Sequence, residues 1–400
     1  MNRNKWGIVL ATAGIHASIG NIYSFSVLTK PIMETCGFTL TQTTFAFSLA
    51  ILFLGLSACF LGKYTDIYGP TKMGVFATIC FVLGLFGSAL AMSLQSLPVL
   101  YLAYCLQGCG LGTGYICPVS TLIKYFPDKP GVASGTAIMS FALGSVIASP
   151  VMQTLVTSYG LITNYLILGY VYMVIMLFSS LYLAPPKDYE EKENNIEVCL
   201  KPKAVYHTWQ FKMLCLMFYI NVTAGISLLA IISPMTQEIF NFTPERAAGF
   251  VMIIAVLNCL GRFCWASLSD IISRKWTYIV FFSLEAICFF LLAGTSNEYL
   301  FEILVLIIIS CYGGGFSCLP PYLSDLYGKN YLSTIHGRAL LMWGLAGITA
   351  IFVAMIKELT GSYHNALWAF GCWFIIAFAM AWKLKNNQVI EVSSSEIQDD

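Results

Sequence analysis

Charge is what this chain of 400 residues has least of, with Asp, Glu, Lys and Arg together making up 10%. Soluble globular domains carry about 25%. So few charges cannot coat a water-exposed surface, which excludes a soluble enzyme and a disordered chain. The formal net charge is only +1, which excludes nucleic-acid binding through basic charge. Metal and disulfide patterns are also missing. No CxxC pair occurs among the 14 cysteines, and most of them, such as Cys59, Cys80, Cys105, Cys259, Cys288 and Cys311, lie inside apolar runs. There they act as small apolar residues. A nucleotide loop is absent too. Gly55 to Gly62-Lys63 has the wrong spacing and Tyr64 where Ser or Thr is needed. No cofactor or metal is therefore expected, and uphill work must draw on a gradient.

Hydrophobic residues are abundant, at 58%. A membrane span needs about 20 of them in a row. Twelve such runs lie near 7–28, 42–62, 73–93, 97–119, 132–156, 161–183, 211–233, 247–266, 276–294, 300–320, 337–356 and 366–383. Lipid offers no water to backbone groups, so these runs should be helices. Strands of a membrane barrel would alternate apolar and polar residues, and these do not. The expected fold is an all-α membrane protein of twelve transmembrane helices. Arg3 and Lys5 precede the first run, and further runs follow at once, so that run reads as a retained span and not a signal peptide.

Basic residues gather on the cytoplasmic side of membrane proteins. With both termini cytoplasmic, 17 of the 21 Lys and Arg residues fall on that side. The chain then divides into a six-helix bundle over 1–183, a charged cytoplasmic linker over 184–210, a second bundle over 211–385, and a polar tail over 386–400, expected to be disordered. The halves echo each other. Gly62-Lys63-Tyr64-Thr65-Asp66-Ile67 follows span two and Ala266-Ser267-Leu268-Ser269-Asp270-Ile271 follows span eight, an offset of 204 from Asp66 to Asp270. Gly110, Gly112 and Pro118 match Gly313, Gly315 and Pro321 at an offset of 203. Parallel six-span repeats build many secondary transporters, with the binding site between them near the midplane.

Three segments carry a resemblance. The loop GKYTDIYGPTK (Gly62 to Lys72) resembles the one after the second span in the major facilitator superfamily, although Pro70 stands where a basic residue is usual. Lys124-Tyr125-Phe126-Pro127-Asp128-Lys129, then Gly131 to Gly135, is similar to a segment of its oxalate/formate antiporter and monocarboxylate transporter group. Gly313-Gly314-Gly315 to Leu319-Pro320, then Asp325, Gly328 and Trp343-Gly344, is similar to spans ten and eleven of bacterial members of that group. The likeness covers the whole twelve-span chain and implies the major facilitator fold.

Arg262 is the leading candidate for substrate binding. An arginine inside a span costs several kcal/mol. It stands eight residues before Asp270, about 12 Å of helix rise from the loop. Either it snorkels back to Asp270 or a carbonyl, or it faces a central cavity and binds a carboxylate through its planar fork. The resemblance favours the cavity, because an arginine here is the group's anion-binding residue. Asn258 lies one turn earlier on the same face. Animal monocarboxylate carriers hold an aspartate there, and asparagine cannot relay its proton. Oxalate exchangers have a lysine where Trp343 stands in this chain. Lys357 is fourteen residues further on, about 21 Å outward. With one central cation, charge balance fits a monoanion better than a dianion.

His16, Gly20, Tyr23 and Val27 follow helical spacing and should share one face of span one. His16 is a candidate proton site, with a neutral histidine hydrogen-bonded inside the bundle as the alternative. Tyr23, Tyr115 and Trp343 are candidates to line the cavity, since the group places aromatics near these positions. Packing is the alternative for each. Glu285 in span nine reads as structural, because the resemblance makes that span peripheral. Asp66 and Asp270, with Lys72 and Arg274, look like cytoplasmic gate residues that latch the bundles in one state.

These readings point to a secondary transporter of a small organic anion, a monocarboxylate first, coupled to protons or to a counter-anion. Its expected setting is the lipid bilayer of a cell membrane, bacterial inner membrane by preference, and its expected state a monomer. An oxalate-type dianion exchanger using Lys357 is the rival within the class. A membrane enzyme would need clustered His, Asp or Glu, whereas the histidines are scattered. A transporter-like sensor would bind without flux.

Overall fold

The computed structural model describes residues 3–186, 201–349, 359–360 and 362–384. The first half holds α1 (Lys5–Gly20), α2 (Phe25–Cys36), α3 (Leu40–Tyr68), α4 (Pro70–Leu94), α5 (Leu97–Tyr125), α6 (Pro130–Tyr159) and α7 (Leu161–Tyr182). A short α8 (Pro202–His207) follows. The second half holds α9 (Trp209–Phe240), α10 (Pro244–Ile272), α11 (Arg274–Gly294), α12 (Glu298–Tyr327), α13 (Leu332–Thr349) and α14 (His364–Lys383). No strand occurs among the described residues. Helix starts follow their capping residues. Thr39 and Gln42 form a reciprocal capping box at α3, Thr243 caps α10 and Asn297 caps α12. Proline opens α4, α6 and α10, where its missing N–H costs nothing.

Among the described residues, ten helical spans are long and apolar enough to cross a membrane. The glycine-rich α5 is not one of them, although it runs 29 residues. It is sheathed by protein, and every residue from Gly110 to Ile123 is buried. Its counterpart α12 is likewise buried from Cys311 to Ser324. A helix buried all round is a core helix. The peripheral helices instead present Ile79, Leu83, Leu90, Tyr170 and Phe178 outward, as a lipid solvent requires.

Three expectations are corrected. Span one is not one continuous helix, because a 3₁₀ turn at Asn21–Ser24 separates α1 from α2. His16, Gly20 and Tyr23 nevertheless all face α6, against Ala137 and Phe141. The segment Gly62 to Lys72 is not a loop. It is the last turns of α3, a single Gly69 at positive φ, and the first turn of α4. The linker also contains α8, which buries Val205. Residues 187–200, Lys357 and the tail 386–400 lie outside the described residues.

The internal repeat extends to backbone angles. Gly69 (φ 84, ψ 161) joins α3 to α4, and Ser273 (φ 78, ψ 154) joins α10 to α11. The offset of 204 maps one onto the other. That region of backbone space is essentially reserved for glycine, so Ser273 is strained.

The halves meet chiefly along two helix pairs, α3 with α13 and α6 with α10. Gly55 and Gly344 make the first crossing possible. A Cβ on Gly55 would lie 2.9 Å from the Gly344 Cα, and one on Gly344 would lie 3.2 Å from the Gly55 Cα.

Candidate functional site

Arg262 on α10 is 1% exposed and lies at the centre of an aromatic cluster. Its guanidinium carbon is 5.0 Å from the Phe316 ring of α12 and 5.9 Å from the Phe141 ring of α6. Trp343 of α13, fully buried, contacts Phe316 at 4.6 Å, Tyr115 at 5.3 Å, Phe141 at 5.9 Å and Tyr23 at 6.4 Å between ring centroids. Both halves therefore contribute to one site.

The hydrogen bonds of this cluster are incomplete. Arg262 donates through Nε to the Asn258 Oδ1 at 3.4 Å, while its Nη1 has no partner among the described residues. The Tyr115 hydroxyl and the Trp343 Nε1 are also buried without partners. The Tyr23 hydroxyl is likewise buried without a partner. Buried polar groups are ordinarily satisfied, and each exception calls for an explanation. Here the unsatisfied groups are chiefly N–H and O–H donors, so the complement they lack is an acceptor.

The sequence-derived candidates Arg262, Asn258, Tyr23, Tyr115 and Trp343 are thus brought together. Arg262 does not reach back to Asp270, which is taken by Arg274 at 2.6 Å. His16 stacks on Tyr115 at 5.1 Å. Its Nδ1 is 2.7 Å from the Ala137 carbonyl and its Nε2 is 3.1 Å from the Tyr115 carbonyl. A neutral ring can donate only one of these bonds, whereas a protonated ring donates both. Sequence reasoning missed His336, which is fully buried, has neither ring nitrogen paired, and lies 6.1 Å from the Tyr115 ring. Its position two turns before Trp343 on α13 was the available signal. Phe141, Tyr312 and Phe316 were missed as well, because nothing local distinguishes them from packing aromatics.

Glu285 is buried on α11 and accepts from the Asn221 Nδ2 of α9 at 3.1 Å. It serves to tie two helices of one bundle together.

The seam between the halves carries the gate candidates. Asp270 accepts from the backbone N–H groups of Gly131 and Val132, each at 2.9 Å, at the start of α6 in the other half. Asp66 does the same in reverse, accepting from the Thr334 N–H at 2.8 Å and its hydroxyl at 2.6 Å in the first turn of α13. Each carboxylate faces the positive end of a helix belonging to the opposite bundle. The two contacts differ in cations. Arg274 is buried, pairs with Asp270, donates through Nε to Asp325 at 2.8 Å, and also bonds Ser269. Subtracting the offset (274 − 204 = 70) lands on Pro70, so the first half has no such base. Lys72 does not substitute for it. It is exposed in the first turn of α4 and pairs with no carboxylate among the described residues. Lys124 is the base within electrostatic reach of Asp66.

Two helical bundles closed around a buried arginine and joined by reciprocal carboxylate-to-N–H bonds fit a membrane transporter of the two-bundle kind. The chain belongs to the Major Facilitator Superfamily, whose profile matches residues 9–351. It is 24% identical over 351 residues to the uncharacterized MFS-type transporter YhjX of Escherichia coli, covering 86% of each chain. It is 23% identical over 358 residues to the oxalate:formate antiporter of Oxalobacter formigenes, covering 87% of this chain and 83% of that one. Among solved structures, the proton:xylose symporter XylE superposes with a TM-score of 0.78 at 13% identity, covering 96% of both chains. The protein is thus a multi-pass membrane protein with the twelve-helix, two-repeat architecture.

Proposed function

We propose that this protein is a secondary active transporter of a small organic anion, a monocarboxylate first, working by alternating access of bundles 1–183 and 211–385. The observation that carries the reading is the buried Arg262 with a free Nη1, in a site that also leaves the Tyr115 hydroxyl and the Trp343 N–H unpaired. A carboxylate would accept from Arg262, Tyr115 and Trp343, and its organic part would rest on Phe141 and Phe316. Similarity to a protein named an oxalate:formate antiporter agrees with an anionic cargo. A single central cation favours a monoanion. A dianion exchanger would need a second cation such as Lys357.

His16 is the proposed proton site. An anion entering beside it favours the protonated ring, which alone satisfies both flanking carbonyls. Asp66, Asp270 and Arg274 hold the latched state, with the terminal face assigned to the cytoplasm by the basic-residue bias. The reading includes a monomer in a cell membrane, with a bacterial inner membrane preferred.

Uptake of radiolabelled formate, acetate and lactate into proteoliposomes tests the proposal. Arg262→Ala should abolish it, and full uptake by that variant would end the assignment. An imposed inward proton gradient should accelerate uptake. Uptake indifferent to that gradient but driven by internal substrate would replace proton coupling by exchange.

A further inference from the structure

A groove of about 640 Å³ lies between α9 and α13, away from the central site. Its walls are apolar, formed by Leu216, Leu341, Leu345 and Ile348. Leu216, Leu345 and Ile348 are exposed on the outside of the bundle, where the surroundings are lipid. Lys212 and Arg338 stand at the end near the start of α9. Neither meets a carboxylate among the described residues. Arg338 donates one Nη1 to the Cys59 Sγ at 3.1 Å and lies 5.5 Å from the Tyr206 ring. The rest of its fork has no partner there. The far end is closed by the Tyr219 hydroxyl, which is 2.7 Å from the Thr349 Oγ1. Arg338 to Thr349 is eleven residues, about 16 Å of helix rise. That matches the acyl depth of one leaflet, half of a hydrocarbon core of about 30 Å.

We propose that this groove binds an anionic phospholipid from the leaflet on the side of the termini. The phosphate would lie between Lys212 and Arg338, and one acyl chain would lie along Leu216, Leu341, Leu345 and Ile348. Charge complementarity selects this occupant. Two unpaired cations at the head of a lipid-facing apolar groove need an anion with a long apolar tail. Arg338 also touches Cys59 of the opposite half, so the bound headgroup sits beside the seam that must open.

Native mass spectrometry of the full chain, titrated with phosphatidylglycerol or phosphatidylcholine, tests the assignment without reference to transport. The wild type should prefer phosphatidylglycerol by about 30-fold, the effect of two interfacial cations. Lys212→Gln with Arg338→Gln should bring the preference below about threefold, while Lys383→Gln should leave it unchanged. Leu345→Trp, which fills the groove and spares both cations, should abolish tight binding, and it serves if the double variant does not fold. No preference in the wild type, or a preference that survives both changes, overturns the proposal. Displacement by laurate that is then carried into proteoliposomes would overturn it in favour of an amphipathic cargo. Because binding is read directly, failure of the carrier reading would leave this result standing.

Discussion

Asp270→Asn should release the latch on the terminal face with little harm to folding. The carboxylate receives two backbone N–H bonds from the other half, at 2.9 Å each. Hydrogen bonds to a charged group contribute about 1.5–3 kcal/mol, and neutral ones about 1. Asparagine keeps one acceptor oxygen, and its NH₂ turns a donor toward the second N–H. Two charged bonds of about 2 kcal/mol each become one neutral bond of about 1 kcal/mol, a loss of roughly 3 kcal/mol. That is a shift of about 150-fold in the latched-to-open ratio, so a population of about 99:1 becomes about 2:3. Arg274 is not stranded, because Asp325 and Ser269 still hold it. Asp66→Asn should shift the ratio less, since the Thr334 hydroxyl can rotate to accept from the new amide. Spin labels on noncanonical side chains at Tyr68 and Ile271, both exposed at this face, would report the distance between halves by electron–electron resonance. An unchanged distance distribution in Asp270→Asn, or an equal shift in the two variants, would refute the reasoning.

Further expectations concern the site and the scaffold. Trp343→Phe keeps the edge-on ring contacts but removes the unpaired Nε1 donor, so the KM for carboxylate uptake should rise roughly tenfold, the effect of one hydrogen bond of about 1–1.5 kcal/mol. Glu285→Gln should leave thermal stability within about 1 kcal/mol, whereas Glu285→Leu strands the Asn221 amide and should cost about 1–3 kcal/mol in a fluorescence melt. Ser273→Gly should stabilise the protein by about 1 kcal/mol in the same melt, by relieving a backbone conformation that suits glycine. Gly344→Val should lower the melting temperature and flux together, since its side chain meets the α3 backbone.

The sequence shows this fold clearly because lipid is a simple solvent. Long apolar runs, the bias of basic residues and the offset from Asp66 to Asp270 each register without knowledge of packing. Arg262 was legible for the same reason, as a charge isolated within a span. Its surroundings were less so. Tyr115, Phe141, Phe316 and Trp343 meet only because α5, α6, α12 and α13 converge, and no local spacing encodes that convergence. His336 had a signal in its register with Trp343, but a lone histidine is usually packing. The latches were half legible. Asp66 and Asp270 stood out as a repeated pair, whereas their partners are backbone N–H groups, which every residue but proline possesses. Thr334, 268 residues from Asp66, carries no mark of its role. Lys72 is exposed and makes no ion pair among the described residues, whereas the buried Arg274 does.

The Gly55–Gly344 contact gives the two bundles something like a bearing. At the carboxylate contacts, relative motion must break hydrogen bonds. At this crossing backbone lies on backbone, as it does again on the same helix pair where Gly337 meets the Ala58 carbonyl and Gly62 the Ser333 carbonyl, so no rotamer there has to change for one helix to roll on the other. In a roll about this crossing, displacement would grow with distance from it, and would be smaller at the neighbouring Trp343 than at the two carboxylate contacts. A cargo held beside Trp343 would be handed from one side of the membrane to the other while barely moving relative to its ligands, and the large excursions would fall on the surfaces that only open and close.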